Sequence, residues 1–205
     1  MWTRRYSARG IFYTGRWHQL SAEKSGKTID DYILVNIGTG TSIFYVHADG
    51  YERLLGSGLG GGTLLGLGKL LSGSKEFSRL LELAEEGESQ KSDLLVGDIY
   101  KDNDSPIVAD LTAANFGKVH LQQTSEADQI ASLIRMIGEN ILLLASQAAM
   151  MKNTNHIVFT GSTVAENLPL QRVITSFREM LSLDIIFPEK GSHAGALGAW
   201  LGGEE

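Results

Sequence analysis

Eleven of the chain's 24 glycines lie between Gly38 and Gly73. Glycine loses more backbone freedom on folding than any other residue, so this density marks backbone that must turn tightly or approach something closely. Apolar and β-branched residues are interleaved throughout, which a flexible linker would not show. Ahead of the stretch, Tyr32 to Ile37 is an apolar, β-branched run that predicts a buried strand. Gly38-Thr39-Gly40-Thr41 predicts a turn, Ser42 to Val46 the returning strand, Ala48-Asp49-Gly50 a second turn, and Tyr51 to Leu55 a third strand. Gly56 to Thr63 then opens a short helix expected to reach Leu71.

Further on, Glu76 to Glu86 reads as an amphipathic helix with Phe77, Leu80, Leu81 and Ala84 on one face. Val96 to Phe116 reads as mostly loop, broken by Asn103, Asp104, Ser105 and Pro106. Ser125 to Met151 is expected to be a long helix, its start marked by Ser125 and Asp128 at capping-box spacing. Ile157 to Gly161 predicts a buried strand, Asn167 to Leu181 a helix, Leu183 to Phe187 a strand, and Ala194 to Leu201 a last helix. A meander followed by alternating strands and helices implies an α/β domain with a partly parallel sheet, the order of one lobe of the actin/hexokinase-like ATPases.

Composition narrows the function classes. At 205 residues and 42% hydrophobic, the chain can bury a core. The net charge of -6 argues against a general nucleic-acid binder. No uninterrupted apolar run approaches the ~20 residues of a membrane span, and no signal-peptide pattern opens the chain. With no cysteine, disulfides, thiolate metal sites and a Cys nucleophile are excluded, and a cytoplasmic location is expected. The five histidines show no metal-ligand spacing, so no zinc site is expected. Residues 1–28 carry six Lys and Arg against one acid, which reads as a solvated basic segment.

Two segments suit phosphate. In the hairpin turn Gly38-Thr39-Gly40-Thr41-Ser42, glycines let backbone N–H groups face an anion and hydroxyls add donors. Gly58 to Thr63 stands at a helix start, where unpaired N–H groups and the helix dipole favour negative charge. Neither is a P-loop or a Rossmann fingerprint. Arg53, expected at a strand end just before the second loop, suits a carboxylate or phosphate clamp. Ser162 follows a strand's C-terminal end, where α/β sheets place ligands. Asp110 to Gly117 is a polar-apolar loop that propensity does not explain.

Taken in order, Asn36-Ile37-Gly38-Thr39-Gly40-Thr41-Ser42, Arg53, Gly60-Gly61-Gly62-Thr63, Gly66-Leu67-Gly68, Asp98-Ile99-Tyr100, Asp110 to Gly117, Val158 to Ser162 and Gly195 to Ala199 resemble the type II pantothenate kinases. The resemblance covers about residues 28–202. It implies an actin-like (acetate kinase/Hsp70/actin, ribonuclease H-like) α/β fold and transfer of the ATP γ-phosphoryl to pantothenate, the first step of coenzyme A synthesis. It also implies Mg²⁺, a cytoplasmic enzyme and a homodimer. Carried onto this chain, it implies ATP contacts at Thr39, Gly61, Gly62, Thr63, Leu64, Leu65, Phe77 and Ser162. Pantothenate would meet Arg53 and Ser42.

The same resemblance marks a departure. The family's opening strand with its Gly-Gly-Thr loop and metal-anchoring Asp has no match here, and the catalytic Glu position falls near Thr3. The expectation is therefore a C-terminal lobe, residues 29–205, behind an unmatched basic segment, residues 1–28, with most of the N-terminal lobe missing. No catalytic or metal-binding residue is assigned. The alternative is a non-catalytic remnant that binds nucleotide or pantothenate and dimerises. The dimer expectation also draws on Leu142, Leu143 and Leu144, which spread apolar character around the long helix.

Overall fold

The computed structural model describes residues 29, 31–100 and 109–188. These fall into two compact units. The first takes the described residues up to Gly61, Ile141–Glu166 and those from Thr175 onward; the second takes Gly62–Asn140 and Asn167–Ile174. The boundary expected at residue 28 and the helix expected from Ala194 to Leu201 lie outside the described residues.

The first unit is built on a sheet of β1 (Tyr32–Ile37), β2 (Thr41–His47), β3 (Gly50–Ser57), β6 (His156–Thr160) and β7 (Asp184–Ile186), in the order β3-β2-β1-β6-β7. The first three strands form an antiparallel meander, and β6 and β7 add parallel to β1. Alternate residues of β1 face opposite sides. Tyr32 and Leu34 join Phe44, Val46 and Val158 in one buried cluster. Ile33, Val35 and Ile37 are buried on the other side. Burial of both faces explains why β1 reads as a continuous apolar run. The second half of the long helix α5 (Glu126–Lys152) serves the face that carries Tyr45: Lys152 Nζ lies 5.0 Å from the Tyr45 ring centroid and 2.6 Å from Glu52.

The second unit contains α1 (Gly61–Ser72, entered from the first unit), α2 (Phe77–Glu86), α3 (Ser89–Ser92), β4 (Leu94–Leu95), α4 (Val96–Ile99), β5 (Thr112–Ala114), the first half of α5 and most of α7 (Leu168–Ser176). The capping box is present: Asp128 N–H donates to Ser125 Oγ (3.1 Å) and Ser125 N–H donates to Asp128 Oδ2 (3.2 Å).

Several expectations shift. Val96 to Phe116 is not simply loop, because α4 and β5 form within it, β5 pairing with β4 just ahead of it. The ribbon pairs Leu94 with Ala114 across a gap that local propensity cannot see. The helix expected to reach Leu181 ends at Ser176 in turns, with Ser182 at φ 52. On α2, Leu80, Leu83 and Ala84 are buried, while Phe77 and Leu81 are half-buried. On α5, Leu142 is buried and Leu144 half-buried, so of that trio only Leu143 is exposed. By length and composition α5 could cross a membrane, yet 56% of its most apolar window is buried within the protein.

Candidate functional site

The glycine-rich turns of the first unit meet. Ile37 pairs with Thr41, so Gly38, Thr39 and Gly40 form the tip of the β1–β2 hairpin, closed by a Gly38 N–H to Gly40 carbonyl bond of 2.9 Å. The second turn runs from Gly58 to Gly60 and enters α1 at Gly61. Gly61 N–H donates to the Gly38 carbonyl at 2.8 Å. The Thr41 hydroxyl donates to the Leu59 carbonyl at 2.7 Å. A Cβ on Gly60 would stand 2.8 Å from Gly40 Cα, so only glycine allows this approach of backbone to backbone.

A third segment joins them. After β6, Gly161 adopts φ 108 and leads into the single turn α6 (Ser162–Ala165). The Thr163 hydroxyl donates to the Gly38 carbonyl at 2.9 Å. Gly38 O thus receives two donors, and Thr163 is buried. Ser162, an expected ATP contact, is exposed beside it, and Thr39 is exposed at the hairpin tip. The first unit therefore brings together the segments carrying Thr39, Gly61 and Ser162. Thr163 was not singled out from sequence, and the buried Thr41 hydroxyl, expected as a donor to an anion, is taken by the Leu59 carbonyl. The visible signal was a hydroxyl residue beside each glycine turn and just after β6, a pattern that also serves ordinary turns.

A polar row crosses one sheet face next to this junction. Ser42 pairs with Asn36 on one side and Gly56 on the other, and Asn36 pairs with Thr160. Arg53 is not at the strand's end, as expected, but within β3, which runs on to Ser57. An extra residue in β3 opposite Ile43 and Phe44 shifts the register there. Arg53 Nη2 lies 2.8 Å from where a Gly56 Cβ would be, so the glycine makes room for the guanidinium. The Arg53 guanidinium thus lies against Gly56, the ladder partner of Ser42. The Thr160 hydroxyl in this row is buried and has no hydrogen-bond partner among the described residues.

In the second unit, Gly62 and Leu65 are exposed, Thr63 and Phe77 half-buried, and Leu64 buried. Leu64 can offer a ligand only its backbone. The Asp110 to Gly117 loop has a structural account. Arg135 and Glu139 are ion-paired at 2.8 Å, Arg135 donates to the Asp110 carbonyl, and the Thr112 hydroxyl donates to Glu139 at 2.8 Å. Buried Asp93 accepts from the Phe116 N–H at 2.8 Å and from the Ser132 hydroxyl. Burial pushes the Asp93 carboxyl up, partly offset by those two donors. Lys118, 2.6 Å from Asp98, holds that carboxyl below its ordinary range, helped by the Leu95 N–H. Burial would raise Asp128, but the Glu88 N–H and the Ser125 cap outweigh it and hold it low. Among the described residues, no group of three His, Asp or Glu side chains can hold a metal ion.

A family model described as Fumble matches residues 5–202. The chain belongs to the Fumble family. Relatives within reach of it are named type II pantothenate kinase. The protein from Oceanobacillus iheyensis is 52% identical over 172 residues, covering 83% of this chain and 64% of its own length. That from Bacillus cereus (strain ATCC 14579) is 41% identical over 185 residues, covering 89% and 68%. The Fumble-family chain described here thus spans 64% of the first relative's length, just under two thirds. Among solved structures, the ligand-bound xylulose kinase of Lactobacillus acidophilus matches with TM-score 0.56 and 14% identity, over 94% of this chain and 40% of that one. The ethanolamine utilization protein EutJ of Carboxydothermus hydrogenoformans matches with TM-score 0.52 and 16% identity, over 94% and 53%. The fold is that of the actin-like ATPases, as expected.

Proposed function

We propose that this chain serves ATP-dependent phosphorylation of pantothenate to 4'-phosphopantothenate, the first step of coenzyme A biosynthesis. The observation that carries the reading is the junction of two glycine turns on one carbonyl, beside a row holding Ser42 and Arg53. The 52% identity to a protein named type II pantothenate kinase supplies the substrate.

In this reading the first unit supplies Thr39, Gly61 and Ser162 to ATP. Gly62, Thr63, Leu64, Leu65 and Phe77 are the contacts proposed for the second. Backbone N–H groups fixed before the ligand arrives stabilise phosphate charge without reorganising. Arg53, forked and always charged, suits the pantothenate carboxylate, and Ser42 offers a hydroxyl beside it. Mg²⁺ would enter on the nucleotide's phosphates, held by their oxygens and water, since the described residues offer it no cage. The protein is proposed to be cytoplasmic and homodimeric. Leu143, Met150 and Met151, exposed on α5 at helical spacing, support a second copy there.

The test is ATP-dependent phosphorylation of labelled pantothenate by the purified 205-residue chain with Mg²⁺. Turnover lost in Arg53→Ala supports the reading. A folded chain that binds ATP and pantothenate without turnover favours the non-catalytic alternative, and one that binds neither rejects both.

A further inference from the structure

We propose that Thr163 is a positioning residue of this site, orienting the peptide unit between Gly38 and Thr39 so that the Thr39 N–H faces outward to a phosphate. The argument begins with the peptide itself. Gly38 C=O and Thr39 N–H belong to one planar trans unit and point in opposite directions. Whatever holds the carbonyl inward turns the N–H outward. Two donors hold it: Gly61 N–H at 2.8 Å and Thr163 Oγ1 at 2.9 Å.

Glycine at 38 leaves the ψ on the near side of this peptide sterically unrestrained, so the unit can rotate when nothing holds its carbonyl. A rotated peptide would present its carbonyl, the negative end of its dipole, to the ligand. A fixed donor is worth more to an anion than one that must first be ordered. Thr163 suits this role because its hydroxyl comes from α6, a separate segment anchored on buried Val164 after β6. All the residues involved belong to the first unit.

The phosphate part of this inference rests on the nucleotide reading, and the peptide part does not, so the experiment reads them separately. Thr163→Val removes the donor at nearly constant volume, and Thr163→Ser keeps it. Amide hydrogen exchange at Gly61 reports the clamp without any ligand. Calorimetric titration with MgATP, and competition by adenosine, report the site. In Thr163→Val, Gly61 is expected to exchange about tenfold faster and MgATP to bind about tenfold more weakly, the effect of one hydrogen bond. Adenosine affinity stays within twofold, because it has no phosphate to meet Thr39. Thr163→Ser restores both values. If Val crowds Gly61 and the variant fails to fold, Thr163→Ala gives the same readings.

Exchange and MgATP affinity unchanged in Thr163→Val would overturn the proposal, as would loss of adenosine and MgATP binding in equal measure. If the wild-type chain does not bind MgATP, the nucleotide reading fails and the phosphate role fails with it. The Gly61 exchange rate then decides the peptide-orienting claim alone.

Discussion

The glycine junction of the first unit and the polar seam of the second are both dense hydrogen-bonded networks, but they spend their polar groups differently. At the junction the bonds run between backbone groups and the hydroxyls of Thr41, Ser57 and Thr163. On α5, Asp128, Ser132, Arg135 and Glu139 follow one another along one side, and each bonds to a neighbouring loop or, for Glu139, to the start of β5. The seam uses its charges on its own chain. The junction turns carbonyls inward and leaves exposed glycine and threonine backbone at the surface. A network that consumes its own charges holds a fold, whereas one that keeps glycine and threonine backbone exposed is suited to a ligand.

The largest effect expected from breaking this contrast is at Gly161. A Cβ there would press on the Ile37 carbonyl, at a φ that L side chains rarely adopt. Gly161→Ala should cost about 3 kcal/mol in urea unfolding, the upper end for one strained position, and abolish MgATP binding. Next comes the seam. Ser132→Ala strips buried Asp93 of one donor and should cost about 1–3 kcal/mol, with MgATP affinity unchanged. A matching loss of affinity would erase the distinction between the regions.

Asp128 sharpens the contrast through pH. Its carboxyl is held low in the folded state, so its contribution is complete above the unfolded value near ~3.9 and is lost as pH falls through the depressed folded value. Asp128→Asn should therefore cost about 1 kcal/mol at pH 7, the worth of a cap. The gap from the wild type in thermal unfolding should close as the solution is acidified below pH ~4. A gap constant with pH would contradict the assigned cause. The smallest effect is expected at the exposed Arg172–Glu85 pair, 2.5 Å apart. Arg172→Ala should change stability by less than ~0.5 kcal/mol, as exposed ion pairs do.

The junction was partly legible in the sequence because glycine placement reports backbone need. The hairpin tip at Gly38 to Gly40 and the helix start at Gly61 lie where the glycine pattern puts them. The capping box at Ser125 and Asp128 was legible because both partners sit within one turn. What was not legible depends on distant partners. The Thr163 bond to Gly38 spans 125 residues. The β4–β5 ribbon depends on Leu94 finding Ala114. Arg53 looked like a strand end because glycines follow it, yet Gly56 stays in β3 opposite Ser42 with the guanidinium filling its space.

The most direct test of the central claim is calorimetric titration of MgATP into the wild-type chain and into Gly60→Ala. The added methyl would stand 2.8 Å from Gly40 Cα and force the two turns apart. The account predicts saturable binding by the wild type and a loss of at least about 100-fold, roughly 2.7 kcal/mol, in a variant that still folds. Wild-type binding unaffected by Gly60→Ala, or no binding by a folded wild type, would contradict it.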